Sequence, residues 1–283
     1  MVKSYALGRC HPAAVVAERD AMSRVLHPLC ASLVRTAKDD DRVYVVMTAA
    51  LGGPLHRHIR RAGKFEASRA LFYAAQCADA LAHCHEWGVI HRDVKASNVV
   101  LNDEGRVVLV DFGAAAVFDP GEFPGVDGRP RRETYCGTPH AMAPEMVGRR
   151  GHGCGVDWWA LGVLLVEMAT GKPPFAADDP SALFENIRRD DVEPDLSGVG
   201  DPAAAAVARA LLDKRRPERR RVSAERVVVD DEERFSPALW KAALVSRPPA
   251  FSRDEGYLDW FEDTGDGPPA ATGEGDEDPW ADF

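Results

Sequence analysis

The stretch His91-Arg92-Asp93-Val94-Lys95-Ala96-Ser97-Asn98, followed by Asp111-Phe112-Gly113, constrains this chain more than any other feature. Asn98 lies five residues after Asp93, and Asp111 lies eighteen after it. Between the two halves, Val99-Val100-Leu101 and Val107-Val108-Leu109-Val110 flank Asn102-Asp103-Glu104-Gly105, which predicts a hairpin. Asp93 is a candidate general base for a hydroxyl, and Lys95 a cation able to offset charge on a moving anionic group. Asn98 and Asp111 offer hard oxygen donors of the kind that suit Mg²⁺ held partly through nucleotide phosphates. Taken singly, each has an ordinary explanation: a loop Asp, a helix-capping Asn, a turn Asp. In this order and around one hairpin they point together to phosphoryl transfer.

Composition enters as exclusion. The net charge of −10, from 45 acidic against 35 basic residues, argues against a general nucleic-acid binder, which needs a basic footprint. Six cysteines without CxxC spacing fit reduced thiols better than a disulfide framework or a zinc site. No signal-peptide pattern opens the chain, and the longest apolar run, Trp158 to Ala169, is too short to span a bilayer. The expectation is a cytoplasmic protein without a membrane span. Residues 254–283 are rich in Asp, Glu, Gly and Pro and contain no Lys or Arg, which predicts a surface-lying or partly disordered tail.

Periodicity predicts a helix over residues 12–26, with Val15, Val16, Met22, Val25 and Leu26 able to share a face, ended by His27-Pro28. A turn at Asp39–Arg42 leads to a β-branched strand, Val43 to Met47. Gly52-Gly53-Pro54 breaks the chain before further helix, and a long amphipathic helix runs from about Glu66 to Trp87, ending at Gly88. Residues 114–142 read as loop, Trp158 to Thr170 as a buried helix, and Pro202 to Leu212 and a segment near Ala224 as later helices. The fold class is therefore α+β, with two lobes and a cleft: residues 1–50, 51–245 and an acidic tail, 246–283.

These motifs resemble those of eukaryotic Ser/Thr protein kinases, over most of the chain. Thr134-Tyr135-Cys136-Gly137-Thr138-Pro139 with Ala143-Pro144-Glu145 resembles an activation segment of the AGC group. Asp157-Trp158-Trp159-Ala160-Leu161-Gly162 and Gly171-Lys172-Pro173-Pro174-Phe175 resemble the helix and loop that follow it. At the C-terminus, Ser246-Arg247-Pro248-Pro249 and Leu258 to Asp263 resemble an AGC tail, with Leu258 where that tail carries Phe. The ending Asp278-Pro279-Trp280-Ala281-Asp282-Phe283 is similar to that of cyclic-GMP-dependent protein kinases. The resemblance implies a bilobal kinase-like fold, ATP and Mg²⁺ as cofactors, and protein substrates phosphorylated on Ser or Thr. By the same likeness Thr138 would bond near Asp93 and Lys95, and Asp157 would brace the catalytic loop. Glu145 would pair with Arg220. Glu18 would be the helix glutamate that pairs with a strand lysine, and Met47 the gatekeeper, with Thr48 to Ala50 as the hinge to adenine. Thr134 would be phosphorylated by an activating kinase, and Arg92 is the residue type that pairs with such a phosphate.

Two expected parts are not found in the sequence. No GxGxxG loop precedes Glu18. Lys3-Ser4-Tyr5 matches the segment that follows the strand lysine in cyclic-nucleotide-dependent kinases, so the expectation places that lysine before Met1, together with three leading strands. The small lobe is then incomplete, and the chain taken alone is expected to show little or no activity. An N-terminally clipped kinase is favoured over a catalytically silent pseudokinase acting as a scaffold, because Asp93, Lys95, Asn98, Asp111 and Glu18 all remain. Thr138-Pro139 with Ala143-Pro144-Glu145 argues against a small-molecule phosphotransferase. Pro54, Ala96 and Ser97 stand where related kinases carry Glu, Pro and Glu, while Glu185 is retained. The expectation is a weaker preference for basic residues before the target hydroxyl than in related kinases.

Overall fold

The computed structural model describes residues 1–119 and 136–215. Thr134, Arg220, the segment near Ala224 and the tail motifs from Ser246 to Phe283 lie outside the described residues. The described chain opens with β1 (Val2–Ala6), α1 (Pro12–Arg24), β2 (Leu33–Lys38) and β3 (Arg42–Met47). Then come β4 (Gly53–Pro54), α2 (Leu55–Ala62), α3 (Ala67–Glu86), β5 (Val89–Ile90), β6 (Val99–Leu101), β7 (Val107–Leu109) and β8 (Ala116–Val117). The last elements are α4 (Pro144–Val147), α5 (Gly155–Thr170), α6 (Pro180–Arg188) and α7 (Pro202–Leu211).

The first three strands form one antiparallel sheet in the order β1-β3-β2. In β3, Val43, Val45 and Met47 are buried while Arg42, Tyr44 and Val46 are only partly so. That alternation is the two-residue period of a strand with one face against a core. The Asp39 carboxylate makes the turn before β3 by accepting the N–H groups of Asp41 and Arg42 at 2.9 and 2.7 Å. α1 buries Val15, Ala21 and Met22 and stops at Arg24, two residues short of the expected end. Leu26 lies beyond the helix and points to solvent, 69% exposed, so it does not share the helix face.

The hairpin around Asn102 forms as expected: β6 and β7 pair from Val99↔Leu109 to Leu101↔Val107, and β4 adds to β6. Asn102 closes it by accepting the N–H groups of Glu104 and Arg106 at 3.0 and 2.9 Å. The segment after Ala114, expected to be loop throughout, instead pairs Ala116 and Val117 with β5. A two-residue strand has no period to read in a sequence; only its partner defines it. The body is built on α5, whose Trp158 and Trp159 are fully buried and which packs between α3 and α7. Gly162 permits the close approach of α7: a Cβ there would sit 2.8 Å from Leu211 Cβ. Among the described residues no helix is long and apolar enough to cross a membrane.

The small sheet is tied to this body through the linker after α1. The Leu109 N–H donates to Leu29 O at 2.8 Å and the Ala31 N–H to Leu109 O at 2.9 Å. The structure thus keeps the α+β class and the incomplete small lobe above a mostly helical body, and it corrects a further expectation. The sheet already contains the strand that carries the Glu18-pairing lysine, as β1.

Candidate functional site

The site forms where β1 and α1 meet the two loops on either side of the β6–β7 hairpin. Lys3 and Tyr5 alternate on β1, so they share one face of the strand. Both reach the fully buried carboxylate of Glu18 on α1: Lys3 Nζ lies 2.9 Å from Oε1, and the Tyr5 hydroxyl donates to Oε2. Lys3 Nζ also lies 2.7 Å from Asp111 Oδ1. The lysine expected upstream of Met1 is therefore Lys3, and the assignment of Lys3-Ser4-Tyr5 to the segment after it was wrong by register. Burial works against the Lys3 charge, but the Glu18 and Asp111 carboxylates outweigh it and hold the ammonium well above the ordinary lysine range. Burial likewise opposes the Asp111 charge, and Lys3 holds that carboxyl below its ordinary value.

Asp111 adopts a left-handed backbone, φ 65°, which Asp tolerates better than most side chains. Its carboxylate accepts the Gly113 N–H at 3.4 Å and opens the 3₁₀ turn Phe112–Ala114. The two loops are locked to each other in three places. Val110 N–H donates to Asn98 O at 2.9 Å, the His91 ring lies 3.1 Å from Val110 O, and the His91 and Phe112 rings sit 5.0 Å apart.

Arg92 is the second strained residue, also at φ 65°, and Asp157 accounts for its persistence. The Asp157 carboxylate, fully buried on α5, accepts the N–H groups of His91 and Arg92 at 2.9 and 2.7 Å and lies 2.8 Å from His85 Nε2. The Arg92 guanidinium donates to Ala114 O at 2.7 Å and Ala115 O at 3.3 Å, fastening the segment that follows Gly113. Gly137 passes so close that a Cβ would sit 2.7 Å from Arg92 O.

With the loop held in this way, Asp93 becomes the centre of a compact network. Its Oδ1 accepts the Thr138 hydroxyl at 2.8 Å, and its Oδ2 lies 2.8 Å from Lys95 Nζ and accepts Asn98 Nδ2 at 2.9 Å. Lys95 Nζ donates to Thr138 Oγ1 at 2.8 Å. Thr138, 45 residues from Asp93, arrives on the turn before Pro139–Ala141. Because Asn98 commits its amide nitrogen to Asp93, its carbonyl oxygen is the atom it can offer to a cation. Among the described residues no group of three or more His, Cys, Asp or Glu is placed to hold a metal. The donor set is one carboxylate and one amide oxygen, which fits Mg²⁺ completing its shell with phosphate and water oxygens. Met47 ends β3 and Ala50 lies in the following linker, both 3% exposed. Met1 closes over the end of β3, its ammonium donating to Met47 O at 2.7 Å.

Sequence reasoning missed Lys3, Tyr5 and His85. For the first two a signal existed, since residues two apart in a strand share a face. For His85 there was none, because its partner Asp157 lies 72 residues away.

Burial alone would raise the Asp157 carboxyl, but hydrogen bonds from His85 and from the Arg92 N–H hold it below its ordinary 3.8. The unfolded chain therefore binds this proton more readily than the folded one. The stabilisation is complete above pH 3.8 and is lost as the pH falls through the folded value. Asp157→Asn is expected to cost about 2 kcal/mol at neutral pH, since an amide cannot replace the carboxylate toward all three donors. Thermal melts of both proteins from pH 7 downward should show that gap narrowing as the acid limit is approached. A gap unchanged down to pH 3 contradicts the account.

Against known proteins, the family profile described as "Protein kinase domain" matches residues 2–230. The chain is 36% identical over 195 residues to "cAMP-dependent protein kinase catalytic subunit 3" of Drosophila melanogaster, covering 69% of this chain and 31% of that protein. It is 43% identical over 166 residues to "Protein kinase C" of the same organism, covering 59% of this chain and 22% of that one. To "Serine/threonine-protein kinase Sgk2" of Homo sapiens it is 34% identical over 227 residues, 80% of this chain and 59% of that protein. These relatives fall in the AGC group. In each case the chain spans less than two thirds of the relative's length.

Proposed function

Because the chain belongs to the protein kinase domain family, we propose that it transfers the γ-phosphoryl group of ATP to Ser and Thr hydroxyls of proteins. The observation that carries this reading is the Asp93 carboxylate, held by Thr138, Lys95 and Asn98 on a loop bonded to the segment before Asp111, whose carboxylate pairs with Lys3. Asp93 orients the incoming hydroxyl and takes its proton. Lys95 offsets charge on the γ-phosphate, and Lys3, positioned by Glu18, does the same for the other phosphates. Asn98 and Asp111 would hold Mg²⁺, which when bound neutralises charge between the phosphate groups. Met47 and Ala50 would border the adenine.

The finer readings rest on the same site. Thr134 is the phosphorylation site for an activating kinase. Arg92, whose guanidinium already fastens Ala114 and Ala115, would transmit the order that its phosphate imposes. Glu185 is exposed and close to Arg189, 3.9 Å, while Pro54 and Ala96 are buried and apolar, which supports a weaker preference for basic residues upstream of the target than in related kinases. Free thiols, four of them buried, support a reducing cytoplasmic setting. The tail's likeness to cyclic-GMP-dependent kinases belongs with these proposals.

A scaffold that binds without transferring phosphate is the second reading. An intact set of Lys3, Glu18, Asp93, Lys95, Asn98 and Asp111 favours catalysis, and Lys3 removes one of the two reasons for expecting the isolated chain to be inactive. Incubating the purified protein with ATP, Mg²⁺ and a Ser/Thr peptide library should give phosphopeptides whose yield depends on both. Nucleotide binding without transfer would instead favour the scaffold.

A further inference from the structure

Two of the buried cysteines meet at the junction between the small sheet and the helical body. Cys30 sits in the linker after α1, where it bridges to Leu109, and Cys84 sits in the last turn of α3. Their sulfurs lie 3.9 Å apart although the residues are 54 positions apart in the chain. A disulfide needs an S–S separation of about 2 Å, so a side-chain contraction of about 2 Å would join them.

The surroundings favour chemistry at this pair over inert packing. The His27 ring stacks on His83 at 4.8 Å and lies 3.5 Å from the Asp79 carboxylate. The hydrogen bond from Cys84 overcomes burial and, with His27, lowers the Cys30 thiol below its ordinary 9.0, while the same hydrogen bond and burial push the Cys84 thiol well above it. Thiolate is the form that attacks an oxidant. Cys77, two turns away on α3, shows the contrast: burial pushes its thiol up to about 12. An open cavity of about 500 Å³ is lined by Pro28, Leu29, Gln76 and Asp79, among others. It therefore borders the chain neighbours of Cys30 and the carboxylate partner of His27, while the two cysteines themselves stay buried, 3% and 0% exposed.

We propose that Cys30 and Cys84 are an oxidisable dithiol whose substrate is a small hydroperoxide. The Cys30 thiolate attacks the peroxide, forming an S–O bond as the O–O bond breaks. This yields a sulfenic acid and, after protonation, water or an alcohol. The Cys84 sulfur then displaces the sulfenic oxygen as water and forms the S–S bond. In total two thiols are oxidised, one peroxide is reduced, and both thiol protons leave in the products. The bond would tie the linker that follows α1, and so the helix bearing Glu18, to α3. This site is independent of phosphoryl transfer.

The test uses the unmodified chain treated with hydrogen peroxide, blocked with N-ethylmaleimide, then unfolded and digested without reductant. Mass spectrometry is expected to find the Cys30 and Cys84 peptides joined, about 2 mass units lighter than their sum, and separated again by dithiothreitol. Cys84→Ala should lose the cross-link, but the assignment is read on the wild-type chain and does not depend on the variant folding. The proposal is overturned if both residues stay reduced while Cys136 and Cys154 oxidise. It is equally overturned if Cys30 proceeds to sulfinic acid unpaired, or if either sulfur pairs with Cys77.

Discussion

Asp93→Asn is expected to lower peptide phosphorylation about 10²–10⁴-fold, the range that a positioned general base contributes. The loss should appear in kcat, with KM for ATP little changed. The substituted amide keeps the size of the side chain and can still accept the Thr138 hydroxyl, as Oδ1 does at 2.8 Å. It cannot take a proton from an incoming hydroxyl, and it turns a donor toward either Lys95 or Asn98, which sit 2.8 and 2.9 Å from Oδ2. Steady-state kinetics beside a thermal melt separate chemistry from folding. Near-wild-type kcat in a folded variant would remove Asp93 from the role of base.

Lys3→Met carries the second large effect and tests the residue whose place only the structure revealed. Methionine keeps the apolar stem and deletes the ammonium shared by Glu18 and Asp111. The fully buried Glu18 carboxylate then keeps Tyr5 as donor but loses its counter-charge. Removing one partner of a buried pair costs about 3–5 kcal/mol, and the remaining tyrosine bond places this case at about 3. Urea unfolding measures that loss. Activity should fall about 10²-fold, as expected when the groups that position phosphates shift by an ångström. A variant that unfolds as the wild type does, with unchanged kinetics, would show that the Lys3 contacts carry neither stability nor catalysis.

Much of the architecture was legible because its signals are local. The alternation of Val43, Val45 and Met47, the long periodic run of α3 and the Asn102 turn each declare an element within a few residues. The catalytic loop was legible for another reason: Asp93, Lys95 and Asn98 lie within six residues, so their proximity is imposed by the covalent chain. β8 was not legible, because two residues show no period. Lys3 was misplaced by register, an error to which a short strand is open when its partner is unknown.

The sequence alone determined which chemistries are present and how the loop residues are spaced, since both follow from residue identity and chain length. Tertiary structure decided which distant groups share a charge. Lys3 meets Asp111 across 108 positions, His85 meets Asp157 across 72, and Cys30 meets Cys84 across 54. It also decided that Arg92 can hold a left-handed backbone, because the buried Asp157 carboxylate, arriving from α5, accepts its N–H. Such pairings depend on strand register and helix packing, which are settled by burial of the whole core and leave no local trace in the order of residues.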